Sequence, residues 1–243
     1  MPQLKLAPIH VPKSSDVLAD QLRKQILGGE LAPGAPLPTE RDLVLQTRLS
    51  RGSVREALRI LEAEGLVSTR PGRLGGSVAR QPGDESLAKY INLFVHGRGI
   101  SLKSVLQTRE AIEPALARLA ALNRTAAERD ELVRATERVE QAYADTPLYL
   151  AENVKWHCAI AAASHNELLR AFMVAISSMI YKASAIENFA TEDIRRVVIK
   201  AHRRILDAIV AGDGAAAERR MARHLAALRE QMQAFPDAPA YLA

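Results

Sequence analysis

The segment between residues 50 and 79 constrains the fold of this 243-residue chain more than any other. Ser50 is a favourable N-cap, and the helix predicted after it places apolar residues at the i, i+3, i+4 and i+7 positions: Val54, Ala57, Leu58 and Leu61. Gly65 ends that helix. Two short runs that favour strands, 66–70 and 77–79, then surround a glycine-rich turn. This pattern indicates an amphipathic helix followed by a two-stranded wing.

Two helices are predicted before this unit. Thr39 and Asp42 have the spacing of a capping box, which predicts a short helix directly after the proline-rich run 32–38. A further helix is predicted upstream, with Ser14 or Ser15 as its N-cap. Two helices joined by a tight turn and followed by a wing are typical of a winged helix-turn-helix.

The remainder of the chain shows only helical periodicity. Aromatic residues make up 4% of the sequence, and the apolar content is mostly Ala and Leu at helical spacing, so the fold class is mainly α. We predict seven helices at about 84–97, 102–122, 125–143, 147–163, 166–187, 191–211 and 214–234. The predicted organisation is a flexible arm (1–13), a winged helix-turn-helix DNA-binding domain (14–80), a linker (81–83), an all-α bundle of six or seven helices (84–234) and a tail (235–243).

Charge is unevenly distributed along the chain. Residues 1–80 hold 12 Lys and Arg against 8 Asp and Glu, so most of the net charge of +5 lies in the first third. Every basic residue between 41 and 80 is Arg, the side chain suited to guanine edges and phosphates. No apolar run is long enough for a membrane span, and a single cysteine cannot form an internal disulfide. We therefore expect a cytoplasmic protein without membrane contact.

Arginines on the third helix form the candidate DNA-reading face. They recur every fourth residue, opposite the apolar stripe, at Arg51, Arg55 and Arg59. In a helix-turn-helix the second helix of the motif lies in the major groove, so these side chains are placed to contact bases and phosphates. The alternative is a solvated stripe paired with Glu56 and Glu62, which explains neither the proline-rich break nor the wing.

Three segments closely resemble the N-terminal domain of GntR-family transcriptional regulators: LPTERDL at 37–43, SRGSVREALR at 50–59 and LEAEGLV at 61–67. The resemblance implies that Arg41, Arg51 and Arg55 contact operator DNA and that the wing enters the minor groove. The DNA-binding set that we predict is Arg41, Arg51, Ser53, Arg55, Arg59, Pro71, Gly72 and Arg73. One departure is Thr47-Arg48, where the family has Leu-Gly. A left-handed Arg48 costs about 1–2 kcal/mol.

The histidines of the second region have a geometry of their own. The turn at Gly212–Gly214 joins two long helices, and His202 and His224 lie ten residues before and after it. At 1.5 Å per residue both rings are about 15 Å from the turn and can face each other. His157 lies one turn after Asn153, the spacing of paired metal ligands. Three imidazoles in a bundle core suit a divalent cation such as Zn²⁺ or Ni²⁺.

The same region resembles the FCD effector domain of the FadR subfamily, through TREAIEP at 108–114, NVKWH at 153–157 and SHN at 164–166. The resemblance implies a metal site formed by Asn153, His157, His202 and His224. The family has Asp at the position of Asn153, so we expect weaker metal binding here, because an amide brings no charge. The alternatives are that the histidines bind a ligand carboxylate directly or are unrelated core residues.

The resemblance to the FCD domain also implies a ligand-binding site. The predicted ligand-binding set is Arg109, Asn153, His157, His202 and His224. Arg109 is suited to a bidentate pair with a carboxylate, whereas the alternative is an intrahelical pair with Glu113 at i+4. These features together predict a DNA-binding regulator rather than an enzyme. The expected mechanism is a homodimeric repressor that a small carboxylic acid releases from a palindromic operator.

Two other classes of protein fit the sequence less well. A metal-dependent hydrolase or isomerase needs a general base, and no carboxylate at helical spacing from the three histidines stands out from surface charge. An architectural DNA-binding protein that binds no ligand would not explain the presence of the second, helical region.

Overall fold

A computed structural model describes residues 11–70, 76–185 and 190–232. The chain divides into two compact units, residues 1–86 and 87–243. The described residues are mainly α-helical, as predicted, with one two-stranded sheet. None of the described helices is long and apolar enough to cross a membrane. The predicted arm and tail lie almost entirely outside the described residues.

The first unit is a winged helix-turn-helix. Its helices are α1 (Ser14–Leu27), α2 (Glu40–Thr47) and α3 (Arg51–Ala63), and its strands are β1 (Val67–Arg70) and β2 (Gly76–Ala79). The strands pair antiparallel, with Val67 opposite Ala79. The core consists of apolar side chains from all three helices and both strands, among them Leu18, Leu22, Leu43, Val54, Leu61 and Val67. The tip of the wing, 71–75, lies outside the described residues.

Helix starts in this unit confirm two predicted caps and correct a third. Thr39 and Asp42 form the predicted capping box of α2, and Ser50 accepts a hydrogen bond from the backbone N–H of Ser53 at the start of α3. The prediction of Ser14 or Ser15 as the N-cap of α1 was wrong. Lys13 holds that position with extended backbone and no side-chain cap, and its carbonyl accepts the first helical hydrogen bonds.

The turn between α2 and α3 contains the irregularity expected from the sequence. Arg48 has φ 57° and ψ 20°, the left-handed conformation that a glycine adopts without strain. Its N–H still donates to the carbonyl of Val44, so the turn keeps the geometry that the motif requires.

The second unit contains the seven predicted helices within its described residues, with ends shifted by a few residues. They are α4 (Asp84–Arg98), α5 (Leu102–Asn123), α6 (Ala126–Gln141), α7 (Thr146–Ala163), α8 (Glu167–Ser184), α9 (Glu192–Ala211) and α10 (Gly214–Met232). Helix α5 packs along α10 and contacts α7 and α9, while α9 and α10 form the predicted hairpin. Gly212 closes α9 with φ 76°. Side chains from α5, α7, α9 and α10 therefore converge in the middle of the bundle.

Candidate DNA-binding face and effector site

The arginine face of α3 is solvent-exposed, as its spacing predicts. Arg51, Arg55 and Arg59 are all exposed, and the apolar stripe on the opposite side of the helix is buried. Arg41 is exposed in the first turn of α2. Ser53 is half-buried and lies beside the Ser50 cap, with 3.0 Å between the two hydroxyl oxygens. The remaining predicted contacts, Pro71, Gly72 and Arg73, lie outside the described residues.

Two of these arginines contact carboxylates in the absence of DNA. The Nη2 atom of Arg55 lies 3.1 Å from a carboxylate oxygen of Glu40, and Arg59 lies 3.9 Å from Glu56. Both pairs are exposed, so each contributes at most about 1 kcal/mol. Such weak pairs leave the guanidinium groups available to a phosphate or a base edge.

Three histidines meet in the core of the second unit. His157 on α7, His202 on α9 and His224 on α10 are all buried, and one ring nitrogen of each lies within 4.8 Å of the others. The His202 and His224 ring centroids are 4.9 Å apart. The facing arrangement expected from their equal spacing around the turn is therefore present.

A tryptophan fixes the position of His202. The Trp156 ring stacks on the His202 ring at a centroid distance of 3.7 Å and an interplanar angle of 8°. The indole N–H donates to the hydroxyl of Thr136 at 2.8 Å, and that hydroxyl donates to the carbonyl of Leu132. Because this series of contacts is buried at both ends, the orientation of the His202 ring is set by packing against Trp156 as well as by its position on α9.

Arg109 adopts the intrahelical pair that the sequence left open. Its Nε donates to Glu113, and both side chains are almost fully buried. The other carboxylate oxygen of Glu113 lies 2.5 Å from Nδ1 of His157. Sequence reasoning considered Glu113 only as a partner of Arg109 and missed its contact with His157. Glu113 reaches His157 from α5, a different helix, so no spacing along the chain could reveal the contact.

The histidines are held in their neutral form. Burial lowers the pKa of His157, and burial together with the neighbouring histidines places the pKa of His202 far below its usual range. Burial, His157 and Arg109 lower the pKa of His224 to about 3. Burial raises the pKa of Glu113, but Arg109 and His157 outweigh it, so the net shift is downward and the carboxylate stays ionised. Neutral imidazole is the form that binds a metal ion.

Polar atoms that lack a partner lie at this site, beside a small cavity. Oδ1 of Asn153 and Nη2 of Arg109 are buried without a hydrogen bond, and so are both ring nitrogens of His202, which is not part of the cavity lining. The cavity has a volume of about 30 Å³, and Arg109, Asn153, His157 and His224 are part of its lining. That volume holds about two water molecules. Unpaired buried polar atoms are costly, so this arrangement fits an additional bound group.

The donor set fits a divalent metal. A tetrahedral zinc ion at 2.0–2.1 Å from each nitrogen holds any two of them about 3.4 Å apart, so nitrogens separated by up to 4.8 Å would need to approach by at most about 1.4 Å. Asn153 lies one helical turn before His157 and lines the same cavity, which gives a fourth candidate ligand.

Comparisons with known proteins decide the family. The model of the FCD domain matches residues 104–227, and the model of the bacterial regulatory proteins of the gntR family matches residues 14–74. This chain belongs to the GntR family. The regulator LutR of Bacillus subtilis is 30% identical to this GntR protein over 214 residues, covering 86% of this chain and 97% of LutR.

Further relatives agree with that assignment. The transcriptional repressor NanR of Citrobacter rodentium is 30% identical over 227 residues, covering 91% of this chain and 86% of NanR. The solved structure of a GntR protein from Streptococcus agalactiae matches with a TM-score of 0.68 and 25% identity, covering 89% of this chain and 99% of that one. This GntR protein is a DNA-binding transcriptional regulator with an effector domain, and the enzyme hypothesis is excluded by its relatives.

Proposed function

We propose that this GntR protein is a cytoplasmic, homodimeric repressor that leaves a palindromic operator when a small carboxylic acid binds at the three histidines. The observation that supports it best is the buried, unpaired Nη2 of Arg109, a residue that lines the small cavity. A buried guanidinium nitrogen with no partner is suited to a carboxylate oxygen. The name of the relative NanR, a transcriptional repressor, supports repression over activation.

The DNA side of the proposal rests on α3. Its exposed arginines, with Arg41 from α2, are the proposed contacts to the major groove, and Pro71, Gly72 and Arg73 of the wing are the proposed minor-groove contacts. On binding, Arg55 breaks its ion pair with Glu40 and contacts DNA instead. Breaking that pair costs little free energy because both side chains are exposed. Two such units related by a two-fold axis read the two halves of a palindrome.

The effector side rests on the histidines. His157, His202 and His224, with Asn153, would hold a divalent cation, for which Zn²⁺ and Ni²⁺ are the best matches to imidazole donors. Such an ion supplies a fixed positive charge for the carboxylate of the effector. Because Asn153 is neutral, the site carries one negative charge fewer than it would with aspartate, which favours an anionic ligand.

The size of the cavity limits what binds there without rearrangement. About 30 Å³ accommodates a carboxylate group, whereas the body of a larger acid requires the lining side chains Val198 and Leu228 to move. That movement is the link to DNA release, because a ligand shifts an equilibrium only through its different affinity for two arrangements.

Metal analysis of tag-free protein purified without chelator tests the site. We expect about one zinc or nickel ion per chain. The His202→Ala variant should lose most of this metal and should still bind operator DNA. His165→Ala is the matched control, because His165 is exposed and pairs with Glu128 instead. Equal metal content in the two variants contradicts the assigned ligand set.

Effector release is tested separately. Operator affinity is measured with and without each member of a panel of two- to six-carbon carboxylic acids. One acid should weaken binding at least tenfold in the wild type and leave the affinity of His202→Ala unchanged. If every acid leaves the operator affinity of the wild type unchanged, the proposed release is wrong.

A further inference from the structure

A second and larger cavity lies in the groove between α9 and α10. Its volume is about 280 Å³, close to the lower limit of about 300 Å³ for pockets that bind small molecules. It is separated from the small cavity by Val198, Leu228 and His224, which contribute to the lining of both. The groove therefore adjoins the histidine site and shares the His224 side chain with it.

Four cations line this groove, two from each helix. They are Lys200, Arg204, Arg220 and Arg223. Arg204 and Arg220 each lie eight residues from Gly212, so they are level on the hairpin, and the Arg220 guanidinium donates to the carbonyl of Arg204. That bond holds one guanidinium group at the end of the groove before any ligand arrives.

The four groove cations differ from several arginines of the same two helices. Within the part of the chain that the structure describes, none of the four forms an ion pair with a carboxylate. By contrast, Arg196 pairs with Glu192, Arg203 with Glu140, and Arg229 with Glu110. Four cations without a carboxylate partner among the described residues therefore lie together along the groove, which favours an anion there.

The other end of the groove is apolar. Val197 is 59% exposed, and Val198 and Leu228 form the adjoining wall. Val197 and Arg204 are seven residues apart on one helix, or about 10 Å along its axis, which is the length of a chain of about eight carbons. An exposed apolar surface that leads to a cationic end matches a ligand with one apolar and one anionic end.

We propose that this groove is a second ligand site that binds an amphipathic carboxylic acid. The carboxylate lies at Arg204, Arg220 and Arg223, and the hydrocarbon chain lies along Val197, Val198 and Leu228. The inference does not depend on the effector proposed for the histidine cavity, because the anion-binding side chains of the two sites are different.

Calorimetric titration of the full-length protein with octanoate tests the site. We expect saturable binding of one octanoate per chain, with acetate at least tenfold weaker because it lacks the apolar body. The double variant Arg204→Gln/Arg223→Gln should bind octanoate at least tenfold more weakly. Arg196→Gln/Arg203→Gln is the matched control: it removes the same charge from outside the groove and should bind within twofold of the wild type.

A variant of the histidine cavity separates the two sites. Asn153→Ala alters only the small cavity and should leave octanoate binding within twofold of the wild type. Three results overturn the inference: no saturable binding of octanoate, equal affinity in the groove variant and its control, or loss of octanoate binding in Asn153→Ala. The last would assign octanoate to the histidine cavity and leave the proposed effector site standing.

Discussion

Replacing Glu113 with glutamine removes a buried negative charge that lies between Arg109 and His157. The variant keeps the shape of the side chain but leaves the Arg109 guanidinium, which is 1% exposed, without its counter-charge. Breaking a buried ion pair from one side costs about 3–5 kcal/mol. Because the glutamine oxygen can still accept the hydrogen bond from Nε, we expect the lower end of that range, about 3 kcal/mol at pH 7.

Urea unfolding followed by tryptophan fluorescence reports on the second, helical unit of the chain, because Trp156 is the only tryptophan of the sequence and lies in the core of that unit. With a slope of about 2 kcal/mol/M, a loss of 3 kcal/mol lowers the midpoint by about 1.5 M. The titration is done with EDTA so that metal binding does not contribute.

Glu131→Gln is the control for the loss of charge. Glu131 pairs with Arg134 and Arg138 on the surface, so its replacement should cost less than about 1 kcal/mol. If Glu113→Gln and this control shift the midpoint equally at an unchanged slope, the buried pair does not stabilise the bundle as argued.

Two further predictions concern the backbone turn and a helix cap. Arg48→Gly should relieve the left-handed strain and stabilise the first unit by about 0.5–1 kcal/mol, seen by calorimetry as a rise of a few degrees in its unfolding temperature; an unchanged or lower temperature would contradict the strain. Glu128 accepts hydrogen bonds from the N–H of Thr125 and from His165, which lower the pKa of its carboxyl. A carboxyl group whose pKa is lowered in the folded state stabilises the fold above about pH 4.5. This stabilisation is lost as the pH falls from there through the lowered pKa. The unfolding midpoint of Glu128→Gln should therefore lie below that of the wild type at pH 7, and the gap should close below pH 4. A gap that is independent of pH contradicts this role.

Local pattern and chain symmetry were enough to predict much of the architecture. The apolar spacing of α3 defines which face is buried, because a helix brings residues three and four apart onto one side. The meeting of His202 and His224 follows from their equal distance from the turn at Gly212, since both helices rise by the same amount per residue.

Contacts between helices that are far apart in sequence could not be predicted in this way. Glu113 reaches His157 across α5 and α7, and Trp156 stacks on His202 across α7 and α9. Trp156 is a buried core residue, but its stacking partner depends on helix rotation, which spacing along the chain does not determine. The N-cap at Lys13 was missed for a different reason: Ser14 and Ser15 have the stronger preference for that position, but Lys13 occupies it without a side-chain cap.

Selection of DNA sequences from a random duplex pool by the purified protein tests the central claim most directly. The account predicts enrichment of an inverted repeat, bound about 10- to 100-fold more weakly by Arg51→Ala or Arg55→Ala, with relaxed preference at single base positions. Arg134→Ala, an exposed arginine of the second unit, is the control and should bind like the wild type. Enrichment of no sequence, or equal affinity in all three variants, would contradict the assignment of α3 as the DNA-reading helix.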